Sequence, residues 1–232
     1  MKYYCIKQHD KSNLEVEGMD KKNLCITYFI LLPICSDLLS GIMYALFEAN
    51  GQANMRDAID AYVTVLLSLL FGIYVAYRNR NVMKRDYVEL ERLPKVFLRK
   101  ALVSTAASLL VILLCGCLID TFFPQATWGN QQAVDLYRSI VPLPLYALNI
   151  CIFAPIVEEF VFRHTLQNAI KQKPWNVILI ALLFGLLHAG FHIEILYYTV
   201  VGLCLGIVYE KTQDINVPIC MHMVNNIVAT LF

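Results

Sequence analysis

Seven apolar runs dominate the sequence, at about residues 24–47, 60–77, 101–123, 140–163, 175–190, 193–209 and 215–232. A helix rises 1.5 Å per residue, so about 20 apolar residues cross the hydrocarbon core of a bilayer. Inside that core every backbone N–H and C=O must be satisfied within the protein, which leaves helices and closed barrels as the spanning structures. Barrel strands alternate apolar and polar residues over about ten positions, and these runs do not alternate. The sequence therefore predicts an all-α, polytopic transmembrane bundle of about seven helices. Composition agrees, with 16% charged residues and a mean hydropathy of +0.56, where soluble domains carry about a quarter charged. A net charge of +1 gives no electrostatic footprint for nucleic acid.

The first 23 residues are polar and form an N-terminal arm ahead of a single membrane domain, 24–232. No apolar segment precedes a small-residue cleavage site, so no cleavable signal is expected. With the arm in the cytoplasm, seventeen Lys and Arg fall on the inner side and two, Arg56 and Arg138, on the outer. The inner set includes eight between Arg78 and Lys100. That asymmetry predicts a multi-pass cell-membrane protein with a cytoplasmic N-terminus. The stretch 86–100, DYVELERLPKVFLRK, mixes apolar and basic residues and suits either the inner membrane surface or a plain loop. The eight cysteines include no CxxC pair and read as small buried hydrophobes.

Ionisable residues within spans are expensive and are functional candidates by default. Three clusters occur, all in the C-terminal half. In PIVEEFVFRHTL, Glu159 and Arg163 are i and i+4 and share a helix face. Glu158 points about 100° away and lacks a local cation. In FGLLHAG, His188 follows Phe184 by four residues; His192, near a loop, is the weaker candidate. In MHMVNN, His222 and Asn226 are i and i+4. Each admits a plainer reading: solvated charges at a helix end, a core histidine on a carbonyl, polar glue between helices. Together they supply a base, a partner that orients water, and oxyanion donors, the parts needed to hydrolyse an amide. Asp37, in the first run, is expected to pair with a polar group in the bundle.

Other protease plans are absent: the sequence has no HExxH and no GxSxG. A transporter or proton relay also uses buried Glu and His, but transporters show paired repeats, and these motifs have no counterpart in the other half. A non-catalytic immunity or accessory protein that binds a peptide is a further alternative.

In order, EEFVFR, FGLLH and HMVNN fit EExxxR, FxxxH and HxxxN. On membrane helices this trio resembles the CAAX-prenyl-protease and bacteriocin-processing family of intramembrane proteases, also called CPBP or Abi. The match covers about residues 140–232. The resemblance implies an endopeptidase whose site opens toward the cytoplasm and whose substrate is a peptide or membrane-associated protein. Secreted-peptide processing or bacteriocin immunity would be its setting. It implies that Glu158 and His188 activate water, that His222 and Asn226 bind the oxyanion, and that Glu159 and Arg163 support them. Such enzymes are commonly labelled metalloproteases. Glu158, Glu159, His188 and His222 are ligand types that suit zinc. A metal-free glutamate mechanism fits as well, and Asn226 suits an oxyanion better than zinc.

Overall fold

The computed structural model of the chain describes residues 34–46, 48, 55–91, 94–124 and 129–231. The proposed arm, 1–23, and the first part of the first apolar run lie outside them. The described residues are helical, with no strand among them. The helices are α1 (Ile34–Leu46), α2 (Arg56–Glu91), α3 (Pro94–Phe122), α4 (Gly129–Ile140), α5 (Leu143–Gln167), α6 (Trp175–Ala189), α7 (Ile195–Thr212) and α8 (Asn216–Leu231).

Each expected span falls on a helix, but the bounds differ. Four stretches are long and apolar enough to cross a membrane: Arg56–Lys84, Leu102–Phe122, Leu143–Gln167 and Ile195–Thr212. α1 and α6 are shorter apolar helices. α2 continues well beyond the expected 60–77, because its basic C-terminal part keeps good helix formers. α4 was not expected; its sequence GNQQAVDLYRSI is too polar to read as a span. The stretch 86–100 is helical on both sides of residues 92–93; of its side chains only Arg99, which is exposed, is among the described ones.

α5 is the axis of the bundle. On one side Ile156, Val157 and Phe160 pack with Phe71 and Val75 of α2 and with Tyr209 and Ile219. On the other, Phe162 packs with Ile112 of α3, Phe184 of α6, Leu205 of α7 and Met221 of α8. In a bilayer, lipid tails are as apolar as these side chains, so close packing and hydrogen bonds hold the helices together rather than burial from water. The α6–α7 pair shows this. A Cβ on Gly185 would lie 2.3 Å from Thr199 Oγ1, and one on Gly202 3.0 Å from Ala181 Cα. Only glycine lets these backbones meet. Many large apolar side chains on α1, α2 and α3, such as Leu38, Leu70 and Leu113, are exposed, as a lipid-facing surface requires.

α5 is not a uniform α-helix. Its turns Asn149–Phe153 and Phe160–Gln167 are π-helical, and they bracket Ala154–Glu159. Such turns recur at functional sites. The first has a local cause. Ala154 N–H donates to Asn149 O, and Pro155 has no N–H to give, so Ile150 O is left without a helical donor. Asn226 Nδ2 of α8 donates to it at 2.9 Å.

Candidate active site

The residues between the two π turns carry the charge. Glu159 and Arg163 pair as their spacing predicts, Oε2 to Nε at 3.0 Å, and both side chains are fully buried. Arg163 also lies over the Phe184 ring, 5.1 Å from its centroid. No spacing in the chain marks Glu159's second partner: His222 Nδ1 stands 3.0 Å from Glu159 Oε1. A carboxylate oxygen accepts, so Nδ1 carries the hydrogen. One buried carboxylate thus joins a guanidinium on its own helix to an imidazole on α8.

Glu158 has no cation on its own helix face, and its partners come from other helices. Its Oε2 is 3.4 Å from His188 Nε2 and 3.9 Å from His222 Nε2. His188 stands in the last turn of α6 rather than deep within its helix, because α6 ends at Gly190, with φ 57°. Its Nδ1 donates to Phe184 O at 2.8 Å, the i−4 carbonyl of its own helix. Its ring is stacked between Phe184, at 4.1 Å, and Tyr198 of α7, at 5.1 Å between centroids. Both histidines therefore use Nδ1 for anchoring and present Nε2 to Glu158.

Three helices thus bring Glu158, Glu159, Arg163, His188 and His222 together. Asn226 follows His222 by one turn on α8, but one hydrogen of its amide is committed to Ile150 O. His192 is exposed in the turn after α6, apart from the cluster. Asp37 does not join it either. It lines a separate cavity of about 310 Å³ with Ser40, Tyr44, Arg56, Asp57 and Asp60, and it forms no ion pair among the described residues. A residue that the sequence reading passed over is Asn225, whose amide oxygen and nitrogen are both shut off from solvent without a hydrogen-bond partner among the described residues. The doublet Asn225–Asn226 was its only signal.

Among the described residues no group of three or more His, Cys, Asp or Glu is disposed to hold a metal ion. Of the four candidate ligands, Glu159 has one oxygen facing Arg163 and the other facing His222. The donor set therefore does not fit a zinc site built on all four.

Residues 140–228 match the family described as type II CAAX prenyl endopeptidase, Rce1-like. The chain is similar to the membrane-embedded CAAX protease MroQ of Staphylococcus aureus (strain USA300), at 25% identity over 74% of this chain and 73% of that protein. It is 28% identical to the UPF0177 protein YaiF of Lactococcus lactis subsp. lactis (strain IL1403), over 44% of this chain and 47% of that one. It is 31% identical to YdiL of Bacillus subtilis (strain 168), named as a candidate membrane peptidase, over 42% and 40%. The last two matches span less than half of those proteins. No solved structure matches the chain.

Proposed function

From the premise that this chain is, through its residues 140–228, a member of the Rce1-like CAAX protease family, we propose that it is an endopeptidase that hydrolyses a peptide bond by glutamate-activated water. The single observation that carries the reading is the position of Glu158 Oε2 between His188 Nε2 and His222 Nε2, 3.4 and 3.9 Å away.

In this reading water binds against Glu158, which takes its proton as general base, with His188 orienting the water. The Nδ1–H bond to Phe184 O fixes the His188 ring, so Nε2 cannot swing away. His222 faces the developing oxyanion. With Nδ1–H committed to Glu159, its Nε2 donates only when the ring is protonated, and the Glu159 carboxylate balances that positive charge. The second amide hydrogen of Asn226 is its remaining donor. Glu159 and Arg163 act as positioning residues. Glu158 then hands the proton to the leaving amine, so one group serves both halves of the reaction. No step needs a metal. The substrate is a peptide or membrane-associated protein, in secreted-peptide processing or bacteriocin immunity, and the site opens toward the cytoplasm.

The test is a peptidomic comparison of cells carrying the wild type and Glu158→Gln. Peptides that vanish in the variant are the expected products; identical peptide profiles, with both proteins inserted, would refute the proposal. Purified protein keeping its hydrolysis in chelator is the expected cofactor result. Activity lost to chelator and restored by zinc would overturn the metal-free step.

A further inference from the structure

α7 carries none of the three motifs, yet one of its side chains touches the site. Tyr198 lies against the His188 ring, with 5.1 Å between centroids and 25° between planes. Phe184 takes the other face, at 4.1 Å and also at 25°. These contacts meet a need that the hydrogen bond of His188 leaves open. The bond from Nδ1 to Phe184 O pins one ring atom. The ring can still tilt about that pin, and tilting carries Nε2 with it. Glu158 does not hold Nε2 in place, because at 3.4 Å it stands slightly beyond hydrogen-bond distance. A flat ring on each face blocks the tilt. Phe184, four residues back on the same helix, closes one face, and α7 closes the other.

Tyr198 is itself held firmly enough for this. Its backbone N–H donates to Glu194 O at 3.1 Å. Its ring meets that of Tyr197 edge-on, at 5.2 Å and 87°. The two helices also touch at its level. The Cβ that Gly185 lacks would fall 2.8 Å from Ile195 O and run into the Thr199 side chain. Ile195 and Thr199 flank Tyr198 on α7, and Gly185 stands one turn before His188 on α6. The glycine contact therefore sets the distance between the two stacked rings.

We propose that Tyr198 is a positioning residue, whose ring, stacked on His188, keeps Nε2 aimed at the water beside Glu158. The proposal rests on the peptidase reading and adds to it a residue outside the motifs. Tyr198 acts through His188 and not on the substrate. Its loss slows the chemical step and leaves substrate binding alone.

The experiment uses the purified full chain and a synthetic peptide spanning the junction whose cleavage in cells is lost in Glu158→Gln. It reads kcat per folded protein, KM and melting temperature. Tyr198→Leu and Tyr198→Met, which remove the ring, are expected to lower kcat at least about tenfold with KM within about twofold. Tyr198→Phe, which keeps the ring, is expected to hold most of the wild-type kcat. Val208→Ala, a buried α7 position in the same core, is expected to melt lower and leave kcat unchanged. In the His188→Ala background, adding Tyr198→Leu is expected to lower kcat no further, because the group it positions is gone. Undiminished kcat in the two ringless variants overturns the proposal, and so does a defect confined to KM. Tyr198→Phe as slow as Tyr198→Leu would assign the effect to the hydroxyl and overturn the stack. An equal kcat loss in Val208→Ala, or a further loss on top of His188→Ala, would mean general packing and overturn it too. If Glu158→Gln leaves every peptide unchanged, the peptidase reading falls and takes this inference with it.

Discussion

At the scale of single residues, Glu158 and Glu159 are neighbours with different duties. Glu159 is sealed between Arg163 and His222, while Glu158 keeps part of its side chain open to solvent and faces two Nε2 atoms. Glu158→Gln removes the proposed base and is expected to cut product formation by about 10²-fold or more with insertion unchanged. His188→Ala is expected to do the same, read as product peptides against membrane-inserted protein. Arg163→Leu acts differently. It strands a buried carboxylate, which costs about 3–5 kcal/mol, so the expected result is loss of folded protein on size-exclusion in detergent. Adding Glu159→Leu to it should recover part of that stability, because the pair is then replaced by apolar groups. Equal loss in the single and double variants would show that the ion pair does not set this stability.

At the scale of elements, α5 and α8 are joined at two levels, by Glu159 with His222 and by Ile150 O with Asn226. The second joint makes a prediction about proline. Asn226→Leu leaves Ile150 O unpaired, a penalty of about 1–3 kcal/mol. Pro155→Ala restores a backbone N–H within reach of that carbonyl. In a double-mutant cycle on thermal stability, Pro155→Ala is expected to lessen the penalty of Asn226→Leu; strict additivity would contradict the account. The α6–α7 contact makes another. Gly202→Leu must push α7 off Ala181, and with it Tyr198 off the His188 ring. Activity and melting temperature are expected to fall together. The exposed Leu187 on α6 is the control, where Leu187→Ile should leave both unchanged.

At the scale of the whole molecule, the bundle is a membrane protein whose motif-bearing helices do not stand alone: α2 supplies Phe71 and Val75 to the core around Ile156 and Phe160. The charge asymmetry predicts its sidedness. In a chain with the native cysteines replaced, Arg138→Cys is expected to react with an impermeant maleimide in intact cells, and Lys173→Cys only after the cells are opened. The reverse pattern would invert the orientation.

The sequence by itself determined the helical class, the approximate spans and the five charged or titratable residues that meet, because a bilayer makes every ionisable side chain within a span conspicuous. It also determined the Glu159–Arg163 pair, since i,i+4 spacing is a local property. Only the tertiary structure decided the rest. The polar helix α4 carries no span signal. The donor that closes Ile150 O, the carbonyl Pro155 leaves open, comes from a distant helix. Glu159's bond to His222 and the different fates of Asn225 and Asn226 depend on which helix faces which. A spacing of three or four residues puts both asparagines beside His222, and only the packing of α8 against α5 commits one amide to the fold and leaves the other unpaired.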